Sequence, residues 1–222
     1  MKHPPRVSSP MIALENPCPP VATSQASATS TTSSATRYQN SHAAAHHLLS
    51  QGARSILYFE EALAISTIAH RQKGFTRAMP EVPEATSTTI HLPTRRFENT
   101  GPQWRAEEAY RACTDLITSG AAFDAIATGD DYFALGVLKA LAEHDIHAPD
   151  EVQAVRYGGL PFAPWTSPAL TSVKLPARLI GELAVSMLLQ RLAGDTSTPI
   201  ERLIKPELVV RSSSGTRKTV PK

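Results

Sequence analysis

The chain has 222 residues, enough for one large domain or two small lobes, and 41% of them are hydrophobic, enough for a buried core. Its 22 basic and 20 acidic side chains leave a formal charge of +2. They are scattered rather than striped, so the composition carries no electrostatic footprint for nucleic acid.

In chain order, MKHPPRVSSP has basic residues but no apolar stretch after them, so it does not read as a signal peptide. No run of about 18 apolar residues follows anywhere, so the chain is expected to be cytoplasmic, with no membrane segment. Residues 10–15 (PMIALE) suit one short strand. The prolines of 16–20 block regular structure. Val21 to Thr36 is nearly all Ala, Ser and Thr, a linker with an edge strand expected near Ser34–Tyr38. Regular alternation begins at Asn40. Helices are expected over Asn40–Gln51, Ser66–Met79, Pro102–Ser119, Asp130–His144 and Pro176–Ala193. Gly52, Gly120 and Gly194 stand just past three of them. Strands are expected over Ser55–Phe59, Thr88–Leu92, Ala125–Thr128, Val152–Tyr157, Ser172–Leu175 and Glu207–Ser212, with a sharp turn at Gly158-Gly159. Helices between strands imply βαβ units, a three-layer α/β fold and a mostly parallel sheet. In the last helix Ile180, Leu183, Met187 and Leu188 share a face, the pattern of a core helix.

Little in the chain points to catalysis or metal. Cys18 and Cys113 lie far apart and outside any ligand pattern, which suits two free thiols in a reducing compartment. His42 and His46 share a helix face at metal-ligand spacing. No placed Glu or third ligand accompanies them, so a solvated face is the simpler reading and no metal or other cofactor is expected. No Ser-His-Asp order or G-x-S-x-G motif occurs, and an enzyme is not expected.

Four pieces of the second half carry a family resemblance when taken together. Asp130-Asp131 precedes Ala134-Leu135-Gly136. Pro149-Asp150-Glu151-Val152 leads into a strand. Pro168-x-Leu170-Thr171-Ser172-Val173 forms another, and Pro206-Glu207-Leu208-Val209-Val210-Arg211 closes the chain's last strand. In this order and spacing they resemble the effector-binding half of lactose-repressor-family (LacI/GalR) transcription regulators, over roughly residues 10–214. The resemblance implies a type I periplasmic-binding-protein-like sensor. Such a sensor has two α/β lobes joined by three crossovers, with a small ligand, a sugar or sugar acid, in the cleft between them. It implies an N-lobe remnant and linker over 1–37 and a C-lobe over 38–174. A return to the N-lobe follows over 175–205, then a closing C-lobe strand over 206–214 and a disordered tail over 215–222. The rest of the N-lobe and the family's helix-turn-helix have no counterpart here. The expectation is one complete lobe and part of a second, with no direct DNA contact from this chain. A homodimer, or a dimer with a full-length relative, is the implied assembly.

The resemblance also implies ligand contacts at Glu15, Thr67, Arg71, Trp104, Asp130 and the position of Gly158. Arg71 stands three residues before Gly74-Phe75 and one helical turn from Thr67. Its planar fork suits hydroxyl pairs, carboxylates or phosphates. Trp104, six residues before Tyr110, fits a stacking platform and equally a core anchor. Asp130 replaces the family's Asn, and Asp130-Asp131 also suits a helix N-terminus through the dipole. After the strand Val155-Arg156-Tyr157 the family has a carboxylate, whereas this chain has Gly158, and Leu175 replaces a common polar crossover residue. Either the ligand differs from a simple sugar or binding has decayed. The readings that follow are an effector sensor of a LacI-type regulator, a stand-alone small-molecule-binding protein, or a non-functional fragment.

Overall fold

The computed structural model describes residues 41–95, 98, 101–197 and 204–215. The expected strand at 10–15, the linker and edge strand before residue 40, Glu15, and the tail beyond 215 lie outside the described residues.

Helix α1 runs over residues 41–50. It is followed by β1 (Ser55–Glu61), α2 (Ser66–Ala78), β2 (Thr86–Leu92), α3 (Trp104–Thr118), β3 (Ala125–Thr128) and α4 (Asp131–Glu143). Then come β4 (Gln153–Tyr157), β5 (Thr171–Lys174), α5 (Ala177–Leu192) and β6 (Glu207–Val209). The strands form one sheet in the order β2-β1-β3-β4-β5-β6. Every neighbouring pair is parallel except β5 with β6. Helices stop where the sequence suggests: Gly52 and Gly120 adopt φ of +89° and +75°, a conformation costly for any residue with a Cβ.

Alternation along the strands feeds two cores. Ile56 and Tyr58 of β1 face Ala45 and Leu48 of α1 and Phe75 of α2, with Ala127, Val155 and Val173 beside them. Leu57 and Phe59 face the opposite way, toward Trp104, Ala109 and Cys113 of α3 and Phe133, Val137 and Leu141 of α4. The result is the three-layer α/β/α arrangement, since strands buried on both faces need helices on both faces. Helices α3 and α4 meet closely at Gly136, where a Cβ would lie 2.0 Å from the Ala106 carbonyl oxygen. Cys113 is fully buried in the second core, and desolvation pushes its thiol up to about 12, which keeps it protonated and unreactive.

Two elements differ from the sequence expectation. Strand β6 ends at Val209, but residues 211–214 remain fastened to the sheet. Ser213 accepts from the Ala154 amide at 2.7 Å, and its hydroxyl accepts from the Thr171 amide at 2.8 Å. Ser214 Oγ lies 2.8 Å from His47 Nε2 of α1, whose burial lowers the imidazole pKa and favours the neutral ring. The Ser213 hydroxyl bonds the backbone, and that of Ser214 bonds side chains, in place of a regular ladder, which accounts for the shorter strand.

The second difference is α5. It forms as expected, but none of its residues is buried, and Leu179, Val185, Leu188, Leu189 and Leu192 are exposed. The core face assigned to Ile180, Leu183, Met187 and Leu188 is therefore not buried among the described residues. Among the described residues the sheet's two faces are covered by α1 to α4, and no residue of α5 is buried.

Candidate functional site

Strand order reverses at β1: the chain goes outward to β2, then crosses back to β3 on the other side. In open α/β sheets the loops diverge at such a point and leave a crevice at the C-terminal ends of the strands. Here the last complete row across the sheet is Phe59, Thr128, Arg156 and Ser172. One residue further on, Glu60, Gly129 and Tyr157 sit side by side. One more brings Glu61, Asp130 and Gly158. Register thus delivers residues at the C-terminal ends of three strands to one place.

Arg71 enters this place from α2. Its guanidinium donates to Glu60 Oε1 at 2.9 Å and to the Gly129 carbonyl at 2.8 Å, and lies 5.2 Å from the centre of the Tyr157 ring. The Arg71 side chain is 12% exposed and that of Glu60 only 1%. Tyr58 donates its hydroxyl to Glu60 Oε2 at 2.7 Å, and the Glu61 amide donates to Oε1 at 3.0 Å. Burial holds the Glu60 carboxyl above its ordinary range, with Arg71, Tyr58 and the Glu61 amide opposing that rise. Gly129 makes the arrangement possible, because a Cβ there would stand 2.4 Å from Glu60 Oε2.

Two further Arg–carboxylate pairs flank the first. Asp130 caps α4, its Oδ1 accepting from the Tyr132 amide at 2.8 Å, while Oδ2 lies 3.8 Å from Arg105 Nε. Asp131 pairs with the buried Arg156 and also accepts from the Gly159 amide at 3.2 Å. Arg156 is held by Ser172 Oγ at 2.9 Å and the Leu160 carbonyl at 2.8 Å. Burial, with Arg211 nearby, lowers Arg156 to about 10, so it stays charged at neutral pH.

The other expected contacts distribute as follows. Thr67 is half-buried, one turn before Arg71 on the same face of α2. Trp104 is buried in the second core, with the Arg105 guanidinium 4.9 Å from its ring centre. Gly158 lacks a carboxylate, yet the space its side chain would take is filled by one. A Cβ at 158 would lie 2.3 Å from both oxygens of Asp131. Arg71, Asp130 and Gly158 are brought together at the ends of β1, β3 and β4, whereas Trp104 is buried in the core on the Leu57 and Phe59 side of the sheet. Residues not anticipated are Glu60, Tyr58, Arg105, Asp131 and Arg156. Two of them left a trace in the sequence: SILYFEE ends a buried strand on two acids, and VQAVRY places an arginine inside one.

Two concavities lie elsewhere. One, of about 310 Å³, is lined by residues including Leu138, Leu141, Ile146 and Pro168; the other runs along Ala69, Gln72 and Thr76 of α2. Neither is lined by a candidate contact. His42 and His46 both approach Glu81, at 2.9 and 3.7 Å. Even so, no group of three or more His, Cys, Asp and Glu is arranged to hold a metal among the described residues. Nor is any described helix long and apolar enough to cross a membrane.

Comparison with known proteins agrees with this architecture. Residues 45–214 match the model of the periplasmic binding protein-like domain. The HTH-type transcriptional repressor PurR of Yersinia pestis is 27% identical over 176 residues, covering 79% of this chain and 49% of the repressor. The chain thus spans about half the length of the curated relatives it matches. Among solved structures, a sugar-binding LacI-family regulator from Escherichia coli in complex with phosphate superposes with a TM-score of 0.69 at 24% identity. That match covers 80% of this chain and 61% of the regulator. A LacI-family regulator from Enterococcus faecium with bound ribose gives 0.69 at 21% identity, covering 82% and 65%. The chain belongs to the periplasmic binding protein-like domain family.

Proposed function

We propose that the chain binds a small sugar-like effector at the C-terminal ends of β1, β3 and β4, and that it does so as the sensor of a LacI-type transcriptional regulator. The observation that carries this reading is the convergence of Arg71, Asp130 and the Tyr157-Gly158 turn at the point where strand order reverses. Arg71 supplies directed N–H donors from a rigid fork, and Asp130 supplies acceptors. Thr67 adds a hydroxyl one turn away, and Trp104 remains a proposed contact at the start of α3. Glu15 is the remaining proposed contact. The names of the matched relatives and structures are those of repressors and transcription regulators, and this reading assigns no reaction to the site.

In the same reading, residues 38–174 and 206–214 form one lobe, and 175–205 belong to a second. The absence of buried residues on α5 supports that division, because a helix with so many exposed leucines has its packing partner elsewhere. A dimer, with itself or a longer relative, is the assembly proposed. Effector binding would then shift the balance between two lobe arrangements.

A thermal-shift and calorimetric screen against neutral sugars and sugar acids tests the site. At least one is expected to raise the melting temperature, and Arg71→Ala is expected to weaken that ligand by about a hundredfold, the loss of two directed bonds from one buried fork. A ligand bound equally well by Arg71→Ala would move the site elsewhere.

A further inference from the structure

We infer that this crevice selects a neutral, hydroxyl-bearing ligand against an anionic one, and that Glu60 is the residue that sets the choice. The inference rests on the binding site proposed above and narrows its ligand class.

Three arginines around the crevice each have a carboxylate. Arg71 pairs with Glu60 at 2.9 Å, Arg105 faces Asp130 at 3.8 Å, and Arg156 pairs with Asp131. Each of these three cations thus has its counter-charge inside the protein. An incoming carboxylate or phosphate would meet no uncompensated cation, and to reach Arg71 it would have to displace a carboxylate that is 1% exposed. That carboxylate is fixed from three sides, by Arg71, by the Tyr58 hydroxyl at 2.7 Å and by the Glu61 amide at 3.0 Å. It does not swing aside as a surface residue would. Asp130 adds a second negative group to the same rim.

Charge compensation is not donor saturation. A guanidinium has five N–H groups. Arg71 spends one N–H of one terminal nitrogen on Glu60 and one of the other on the Gly129 carbonyl. The remaining terminal hydrogens can donate to uncharged oxygen. A sugar hydroxyl gains a hydrogen bond there and asks for no counter-ion. An anion forfeits its hydration and gains a cation whose charge is already spent, and burying a charge without a partner is costly.

Glu60 is therefore a specificity-determining residue. Replacing it by glutamine keeps the shape and an oxygen for the Glu61 amide, and removes the internal counter-ion. Because burial already disfavours the ionised carboxyl, the amide is a mild change for the fold.

The test is calorimetric titration of the full chain, wild type and Glu60→Gln, with D-ribose, D-ribose 5-phosphate and inorganic phosphate. Wild type is expected to bind the phosphate ester about tenfold or more weakly than ribose, and to leave inorganic phosphate unbound. Glu60→Gln is expected to gain about tenfold or more for both phosphates, the scale of one freed charge-assisted bond. Wild type binding either phosphate at least as tightly as ribose overturns the inference and leaves the site intact. No phosphate gain in a folded Glu60→Gln overturns it as well. If wild type binds no sugar, the sugar reading falls, and the phosphate gain in Glu60→Gln still decides whether Glu60 guards Arg71. If Glu60→Gln does not fold, the wild-type comparison decides alone.

Discussion

Arg156→Met is expected to lower the free energy of unfolding by about 3–5 kcal/mol, the range for breaking a buried ion pair from one side. Arg156 is among the largest fully buried side chains, and it lies within β4. Its guanidinium links four elements: Asp131 at the start of α4, Ser172 in β5, the Leu160 carbonyl after β4, and its own strand. Methionine fills most of the volume, so little of the expected loss is a cavity. The loss comes from leaving the Asp131 carboxylate buried without its cation. Adding Asp131→Asn should restore about half of it, because a neutral amide no longer needs a counter-charge. Urea unfolding checks both values, with the midpoint moving and the slope unchanged if the native and unfolded states keep their compactness. A single variant within about 1 kcal/mol of wild type would show that the pair does not organise this end of the sheet.

Gly158→Asp is expected to destabilise by about 3 kcal/mol, combining steric overlap with like-charge repulsion. A side chain at 158 would enter the position held by both Asp131 oxygens, 2.3 Å from its Cβ. Backbone conformation is not the obstacle, since Gly158 is not among the residues with positive φ. The three atoms nearest such a Cβ all belong to Asp131. The double variant Gly158→Asp with Asp131→Ala should therefore be more stable than Gly158→Asp by about 2 kcal/mol, with the new carboxylate taking over Arg156. That reciprocity would explain a departure noted in the sequence. The space a side chain after β4 would occupy is filled by the Asp131 carboxylate from the start of α4. Thermal or urea denaturation of the two single variants and the double variant completes the cycle. Strict additivity between the two changes would contradict it.

The order of strands and helices was legible because βαβ units impose two clear periodicities and place glycine at helix ends. Most boundaries fell within two residues. Strand β1 was underestimated because Glu60 and Glu61 look like a loop, and only the sheet's register shows that they extend a buried strand. Arg71 was visible through its spacing to Gly74, but its partner was not. Glu60 is eleven residues earlier, and nothing local says that the two side chains meet. Asp130-Asp131 suited a helix N-terminus through the dipole, and Asp130 stands just before α4, accepting from the Tyr132 amide. The position of Asp131 beneath Gly158 depends on how β3 and β4 are aligned, a long-range fact without a short-range trace. For α5 the error was physical. Apolar periodicity shows that a face seeks cover, not that the cover is present in the same layer stack.

The most direct measurement is an amide chemical-shift titration of the isotopically labelled chain with D-ribose and a set of other neutral sugars. The account predicts that a binding sugar perturbs Gly129, Asp130, Gly158 and the amides of α2 around Thr67 and Arg71. Shifts concentrated instead around Leu138, Ile146 and Pro168, with the ends of β1, β3 and β4 unmoved, would contradict it.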